Sequence, residues 1–277
     1  MHILIYGVII GLQNFRVGVI AIISEKLTAD SLLCAALDVG EHILRNGGEV
    51  HRVEDTIERI CKSFGAIHVE VFTITNLITA SVRMADGDMS QQMRRITDMV
   101  NNMYAVEELN KISRMLCAGK IDINSLDDAI SKIKQNKVYP VWLTFFGAMC
   151  AAGGFAIFFG GTLLDGICAA IVGIFLTFFD KYAPKIANQM VMTAINSFLS
   201  GILSILLVKI GFGINADKIM IGTIMLLIPG IALNNSIRDM ITGDVLAGFL
   251  RFIQSILLAL MIAAGFAAAI LLFGGAV

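Results

Sequence analysis

The segment Pro229–Arg251, PGIALNNSIRDMITGDVLAGFLR, gathers the side chains most able to handle a charged solute. It opens on Pro229-Gly230, a helix-breaking pair inside an apolar run. Backbone groups freed by such a break are tolerated in hydrocarbon mainly where they are buried in protein or line a cavity. Asn234, Asn235, Arg238, Asp239, Thr242 and Asp244 follow, and Arg251 stands two helical turns into the next apolar run. The guanidiniums of Arg238 and Arg251 offer paired N–H donors to a carboxylate, while Asp239 and Asp244 suit a proton or an ammonium group. On a helix, Asn234, Arg238 and Thr242 share a face. Asp244, Gly248 and Arg251 align on the next one, with Gly248 leaving room between the two charges. A plainer reading makes this an interfacial loop whose Arg251 reaches back to water. An ionisable group so far into an apolar run favours a functional role.

Two further patterns are weaker. Gln189, Thr193, Asn196, Ser200 and Ser204 recur at helical spacing and form one polar stripe on an apolar helix. In hydrocarbon such a stripe must face protein or water, so Thr193 and Asn196 either line a substrate path or bond to a neighbouring helix. The second pattern is a charged helix carrying Glu49, Arg52, Glu54, Asp55, Glu58 and Arg59; its spacings alone describe a solvated surface with weak pairs. Asp165 reads as a residue of the outer interface, and Gly147/Ala151, Gly166/Ala170 and Ala169/Gly173 as small pairs for close helix packing. The four histidines form no HExxH, and no GxSxG elbow or Walker loop occurs. The expectation is a non-enzyme with no metal and no cofactor. Five scattered cysteines suggest free structural thiols rather than a disulfide framework.

The elements that must position these residues follow from composition. The chain of 277 residues is 57% hydrophobic and only 16% charged, against about 25% charged in a soluble domain. Residues 25–140 carry 14 Lys/Arg and 17 Asp/Glu, whereas residues 141–277 carry only 6 and 5. Neither part is basic enough to suggest nucleic acid. The expected fold is membrane α-helical, with a cytoplasmic α+β domain at residues 26–139 and a bundle of about five transmembrane helices at 140–277. The spans are predicted at Val141–Phe159, Leu163–Phe179, Met190–Val208, Ile219–Leu233 and Val245–Phe273. In the α+β part, helices are predicted over Ala29–Asn46, Glu49–Phe64, Val106–Cys117 and Ser125–Asn136, with paired strands at Ile67–Thr75 and Leu77–Met84. Lys132, Lys134, Lys137, Lys181, Lys185 and Arg238 fall on one side of the spans and Lys209 and Lys218 on the other. The excess sets the N-terminal domain in the cytoplasm and the C-terminus outside. Residues 1–25 are apolar but carry Gln13, Asn14 and Arg16 mid-run, and they read either as a non-spanning extension or as an extra helix.

Two segments together resemble a known family. Gly47–Ile60, GGEVHRVEDTIERI, resembles the G-A/G-E-x-x-R-V-E motif of the threonine/serine exporter (ThrE-like) family through Gly48, Glu49, Arg52, Val53 and Glu54. The Pro229–Arg251 segment is similar to that family's PGxxLxNxxRDxxxGDxxxGxxR motif through Pro229, Gly230, Leu233, Arg238, Asp239, Gly243, Asp244, Gly248 and Arg251, with Asn234 and Asn235 equivalent candidates for its Asn. The resemblance implies a secondary exporter and raises Glu49, Arg52 and Glu54 above a merely solvated surface. Fused members carry about ten spans, so a five-span chain resembles the larger component of the split form. That implies a separate small integral membrane partner and a hetero-oligomer in the inner (plasma) membrane. Split members are associated with dicarboxylates such as succinate and fused ones with threonine and serine, so either substrate class fits. The competing reading is a non-transporting membrane receptor or scaffold with a cytoplasmic sensing domain.

Overall fold

A computed structural model describes residues 27–135, 139–182 and 188–274. The N-terminal extension, Lys137 and Lys185 lie outside the described residues, as does the Lys134 side chain.

The α+β part opens with α1 (Ala29–Arg45), whose N-terminus is closed by a Thr28/Ser31 capping box. Helix α2 (Val50–Ser63) follows after Gly47-Gly48. Strands β1 (Ala66–Ile74), β2 (Leu77–Met84) and β3 (Met89–Arg95) form an antiparallel sheet in that order. Helices α3 (Met103–Cys117) and α4 (Leu126–Gln135) complete this part. Leu32, Leu37, Ile43, Leu44, Val53, Ile57 and Ile60 pack against Ile78, Ala80 and Val82 of the sheet, and all are essentially excluded from solvent. Both helix stripes have the 3.6-residue period and β2 the period of two, so one core accommodates both.

Strand β3 is absent from the sequence-based reading, for a physical reason. Its inward positions are polar, Ser90, Gln92 and Arg94, and they meet polar groups of α1 instead of a hydrophobic face. Ser90 donates to the Asp30 carboxylate at 2.8 Å, Gln92 to the same oxygen at 2.8 Å, and Arg94 lies 3.6 Å from Asp38. An edge strand held this way carries no alternation of apolar residues.

Five C-terminal segments follow. Helices α5 (Val141–Phe158), α6 (Leu163–Tyr182), α7 (Gln189–Lys209) and α10 (Val245–Phe273) are each long and apolar enough to cross a membrane. Helices α8 (Ala216–Leu227) and α9 (Gly230–Thr242) make one broken element, bent by 54° at Ile228-Pro229, which counts as a fifth span if taken together. The continuous helix expected over Ile219–Leu233 is thus two helices. Proline has no N–H for the ladder and its ring excludes the preceding turn, so the residue before it, Ile228, turns extended.

The small residues set the packing. Gly222 of α8 lies against Ala152 and Ala156 of α5, and Gly153 against the Gly166 carbonyl of α6. Of the expected small pairs, Gly166 and Gly173 face neighbouring helices, but Gly147 has open space beside it. Counting seven residues from Gly222 at 1.5 Å each puts the Pro229 break about 10 Å further along, beside the second turn of α5. Asp165 is not merely interfacial. It is fully buried, and its carboxylate accepts from the Ile214 and Asn215 backbone at 2.7 and 2.9 Å and from Thr162, tying α6 to the turn before α8.

Helices α7 and α10 run parallel: Gly265 lies against Ala194 and Ser197, Gly201 against Phe266 and Ala269, and Lys209 Nζ reaches the Phe273 carbonyl. Arg251 is fourteen residues before Gly265, so it lies about 21 Å back along α10, beyond the first turn of α7. The N-terminal half of α10 therefore leaves the bundle and enters the α+β part, where Ala247 joins the Leu32–Val82 core.

Candidate functional site

Gly47-Gly48 is the residue pair that makes the site possible. Gly47 has φ +89°, and a Cβ on Gly48 would fall 2.5 Å from Ile43. The chain can therefore reverse tightly between α1 and α2 and present the α2 N-terminus to α9. Glu49 is the N-cap residue, yet its side chain makes no capping bond, and no acidic residue occupies the first turn of α2. The cap comes from 189 residues away. Val50 N–H donates to Asp239 Oδ1 at 3.2 Å, which satisfies an orphan donor and sets a negative charge at the positive end of the helix.

Helix α9 supplies two more contacts to the same turn. Asn235 Nδ2 donates to the Gly47 carbonyl at 3.0 Å, and Arg238 Nη1 donates to Glu49 Oε1. Glu49 Oε2 is in turn 3.7 Å from Arg52. The other oxygen of Asp239 accepts from Arg251 Nη1 at 3.0 Å. Asp239 is fully buried and Arg251 only 5% exposed, so this is a buried ion pair. Arg251 Nη2 and Asp244 Oδ2 are also buried and have no hydrogen-bond partner among the described residues.

Gly243 closes α9 with φ +110°, turning the chain into α10. Gly248 does not make room between Asp244 and Arg251 as its spacing suggests. A Cβ there would lie 2.6 Å from the Ser236 carbonyl and the Met240 side chain, so its absence lets α9 and α10 close on each other. That closeness lets Arg251 reach Asp239 rather than Asp244.

Glu54 is half-buried and accepts the Thr73 N–H at 2.7 Å. Burial pushes its carboxyl up to about 7, and the nearby Asp244 carboxylate adds to the shift. Three arginines (Arg52, Arg238, Arg251) thus meet four carboxylates (Glu49, Glu54, Asp239, Asp244) at one junction.

The structure separates some expected groupings. Asn235 and Asp239 form the inward face of α9, while Asn234 and Thr242 are exposed and Arg238, also exposed, reaches across to Glu49. Arg251 does not reach back to water. The α7 stripe stays apart from this junction. Thr193 and Ser204 hydroxyls bond carbonyls of their own helix, and buried Asn196 lies at the level of Gly265, about 20 Å along α10 from Arg251. Pro229 and Gly230 form the break itself. Asp55–Arg59 and Lys62–Glu58 remain ordinary surface pairs.

What sequence reading missed is that the two charged segments touch. The signal was present in the uncapped start of α2 and in Asp239, an acid without a partner on its own helix.

Comparison with known proteins extends over the same residues. A family model described as "Putative threonine/serine exporter" matches residues 35–273. The "Probable succinate transporter subunit YjjP" of Klebsiella aerogenes is 26% identical over 241 residues, covering 84% of this chain and 90% of that one. The protein of the same name from Escherichia coli K12 is 25% identical over 259 residues, covering 91% and 97%. The "Probable threonine/serine exporter" of Mycobacterium tuberculosis is 22% identical over 245 residues, 87% of this chain but only 46% of that protein. No solved structure matches the chain significantly.

Proposed function

The chain belongs to the threonine/serine exporter family, and on that premise we propose that it is the larger subunit of a secondary exporter of small carboxylates. The substrate class is a dicarboxylate of the succinate type or an amino acid of the threonine/serine type. The observation that carries the reading is the junction of Gly47–Glu54 with Asn235–Arg251. There the guanidiniums of Arg238 and Arg251 are held by the protein's own carboxylates, beside a span broken at Pro229.

The chemistry is an exchange of partners. A substrate carboxylate arriving at the junction competes with Glu49 for Arg238 and uses the vacant Nη2 of Arg251. A charge-assisted bond to a buried guanidinium is stronger than one in water. When Glu49 lets go, α2 loses one of its ties to α9, so substrate arrival and domain contact are linked through one side chain. Asp239 and Asp244 balance the charge and suit a proton or an ammonium group.

A separate small membrane partner completes the transporter in this proposal. Two relatives of nearly the same length are named as subunits, and the longer M. tuberculosis exporter has a further half with no counterpart here. Domain boundaries at residues 26–139 and 140–277, with the α+β domain cytoplasmic, belong to the same reading.

The test is export from proteoliposomes containing this chain with and without the partner, across a panel of amino acids and dicarboxylates. Export of one class by the pair and not by either protein alone is the expected outcome. Full export by this chain alone would contradict the subunit reading. No export of any carboxylate by the pair would remove the substrate class.

A further inference from the structure

On the side of the junction away from Arg251, and sharing Glu49, Arg52 and Asn235 with it, a half-open pocket of about 330 Å³ lies between α2, α3 and α9. We propose that this cavity is a binding site for a small dicarboxylate, gripped between Arg52 of α2 and Arg114 of α3.

The volume lies at the lower end of ligand pockets, which run from about 300 Å³ upward, and suits a metabolite of a few carbons. Charge decides its chemical class. Of the basic groups on its wall, Lys111 is held by Glu107 at 3.0 Å and Glu108 at 2.6 Å. The other two are held loosely or not at all. Arg52 has only Glu49 at 3.7 Å, and Arg114 has no ion-pair partner among the described residues. A guanidinium carries five N–H donors in a planar fork and binds a carboxylate with two of them. Two such forks, one on each of two helices, call for a ligand with two carboxylates. A monocarboxylate leaves one fork empty.

The site shares Glu49 with the junction, because that carboxylate bridges Arg52 and Arg238. A ligand carboxylate on Arg52 displaces Glu49 from it and leaves Glu49 to Arg238 alone. Binding in the cavity therefore biases the contact between α2 and α9. The site is distinct from Arg251, and its test does not depend on transport.

Purified full-length chain in detergent is titrated calorimetrically with succinate, butyrate and succinamide. Succinate is expected to bind, butyrate at least about tenfold more weakly, and succinamide not measurably. Arg52→Gln and Arg114→Gln should each weaken succinate by about tenfold or more. Both side chains are exposed, so the variants should keep the parental unfolding midpoint. Glu49→Gln should strengthen binding, since it removes a competitor for Arg52 and a negative charge from the wall. Unchanged succinate affinity in the double arginine variant would place binding elsewhere and overturn the cavity site, as would no binding to the folded parent. Export by Arg114→Gln with its partner reads the transport proposal separately, because Arg114 lies outside the junction: export that persists while succinate binding is lost supports both readings, and export lost together with binding would make the two sites one and overturn the separate pocket.

Discussion

At the level of single residues, Asp239 carries most of the junction, since one oxygen caps α2 and the other holds Arg251. Removing Arg251 alone strands a fully buried carboxylate, which costs about 3–5 kcal/mol in comparable pairs. Arg251→Ala should therefore destabilise the chain by that order, measured by denaturant unfolding in detergent. Asp239→Asn with Arg251→Gln should recover much of the loss, giving a coupling energy of about 1–3 kcal/mol. Purely additive effects would mean the two groups do not interact. Glu54 supplies a pH dependence. Its carboxyl sits at about 7 against an ordinary 4.5, so between those values the folded chain holds a proton that the unfolded chain has lost. Stability from this group is full below pH 4.5 and falls as pH rises through 7. Glu54→Gln abolishes that fall, so the variant should gain on the parent between pH 4.5 and 7 and level off above. Asp244→Asn should move the fall to lower pH by removing a neighbouring negative charge. A stability difference that stays flat across this range in Glu54→Gln would show that the carboxyl titrates normally.

The elements were legible where one physical signal dominated. The 3.6-residue stripe of α1, the alternation of β2 and the long apolar runs of α5, α6, α7 and α10 were all visible before folding, and α10 begins and ends where its apolar run does. Strand β3 was not, because its inward side chains bond polar groups. The bend at Pro229 was legible as a break but not as a change of direction, since proline removes a bond without specifying an angle. Least visible was the meeting of α2 with α9, a long-range contact made through caps rather than through a periodic face. The α9–α10 turn tests how that meeting is built. Gly248→Val places carbon where the Ser236 carbonyl and Met240 lie, so α9 must swing away. Overpacking of this kind costs about 1–3 kcal/mol. It should also abolish crosslinking of a Glu49→Cys/Arg238→Cys pair in a background lacking the native cysteines. Gly147→Ala is the matched control. Its added methyl meets nothing within 4 Å, so stability should hold or rise and crosslinking should persist. Equal behaviour of the two variants would mean that close approach at Gly248 does not position the junction.

Across the whole molecule, the family and the long apolar helices could be read from two short motifs and a hydropathy pattern. Their assembly could not, because no local signal says that α10 extends past α7 and threads Ala247 into the α+β core. That extension fixes the relation between junction and bundle. Helices α7 and α10 are parallel, and the broken α8–α9 element returns between them, so the start of α7, the end of α9 and the start of α10 share one end of the bundle. The α+β part sits at that end. So do Lys181 near the end of α6 and Arg238, whereas Lys209 and Lys218 stand at the opposite end beside Phe273 and the turn before α8. The excess of basic residues at the junction end, with Lys132 before α5, supports the proposed cytoplasmic placement of that end. The expected outcome is that a single cysteine at the exposed position Phe212, in a chain otherwise without cysteines, reacts with a membrane-impermeant thiol reagent added to intact cells. One at Lys132 should react only after the membrane is opened. Helix α10 then carries its end near Phe273 to the outer surface. A reporter fused there would read outside if the broken element is one crossing. It would read inside if α9 folds back without crossing, and that result would reduce the chain to four spans and reverse the placement of α10.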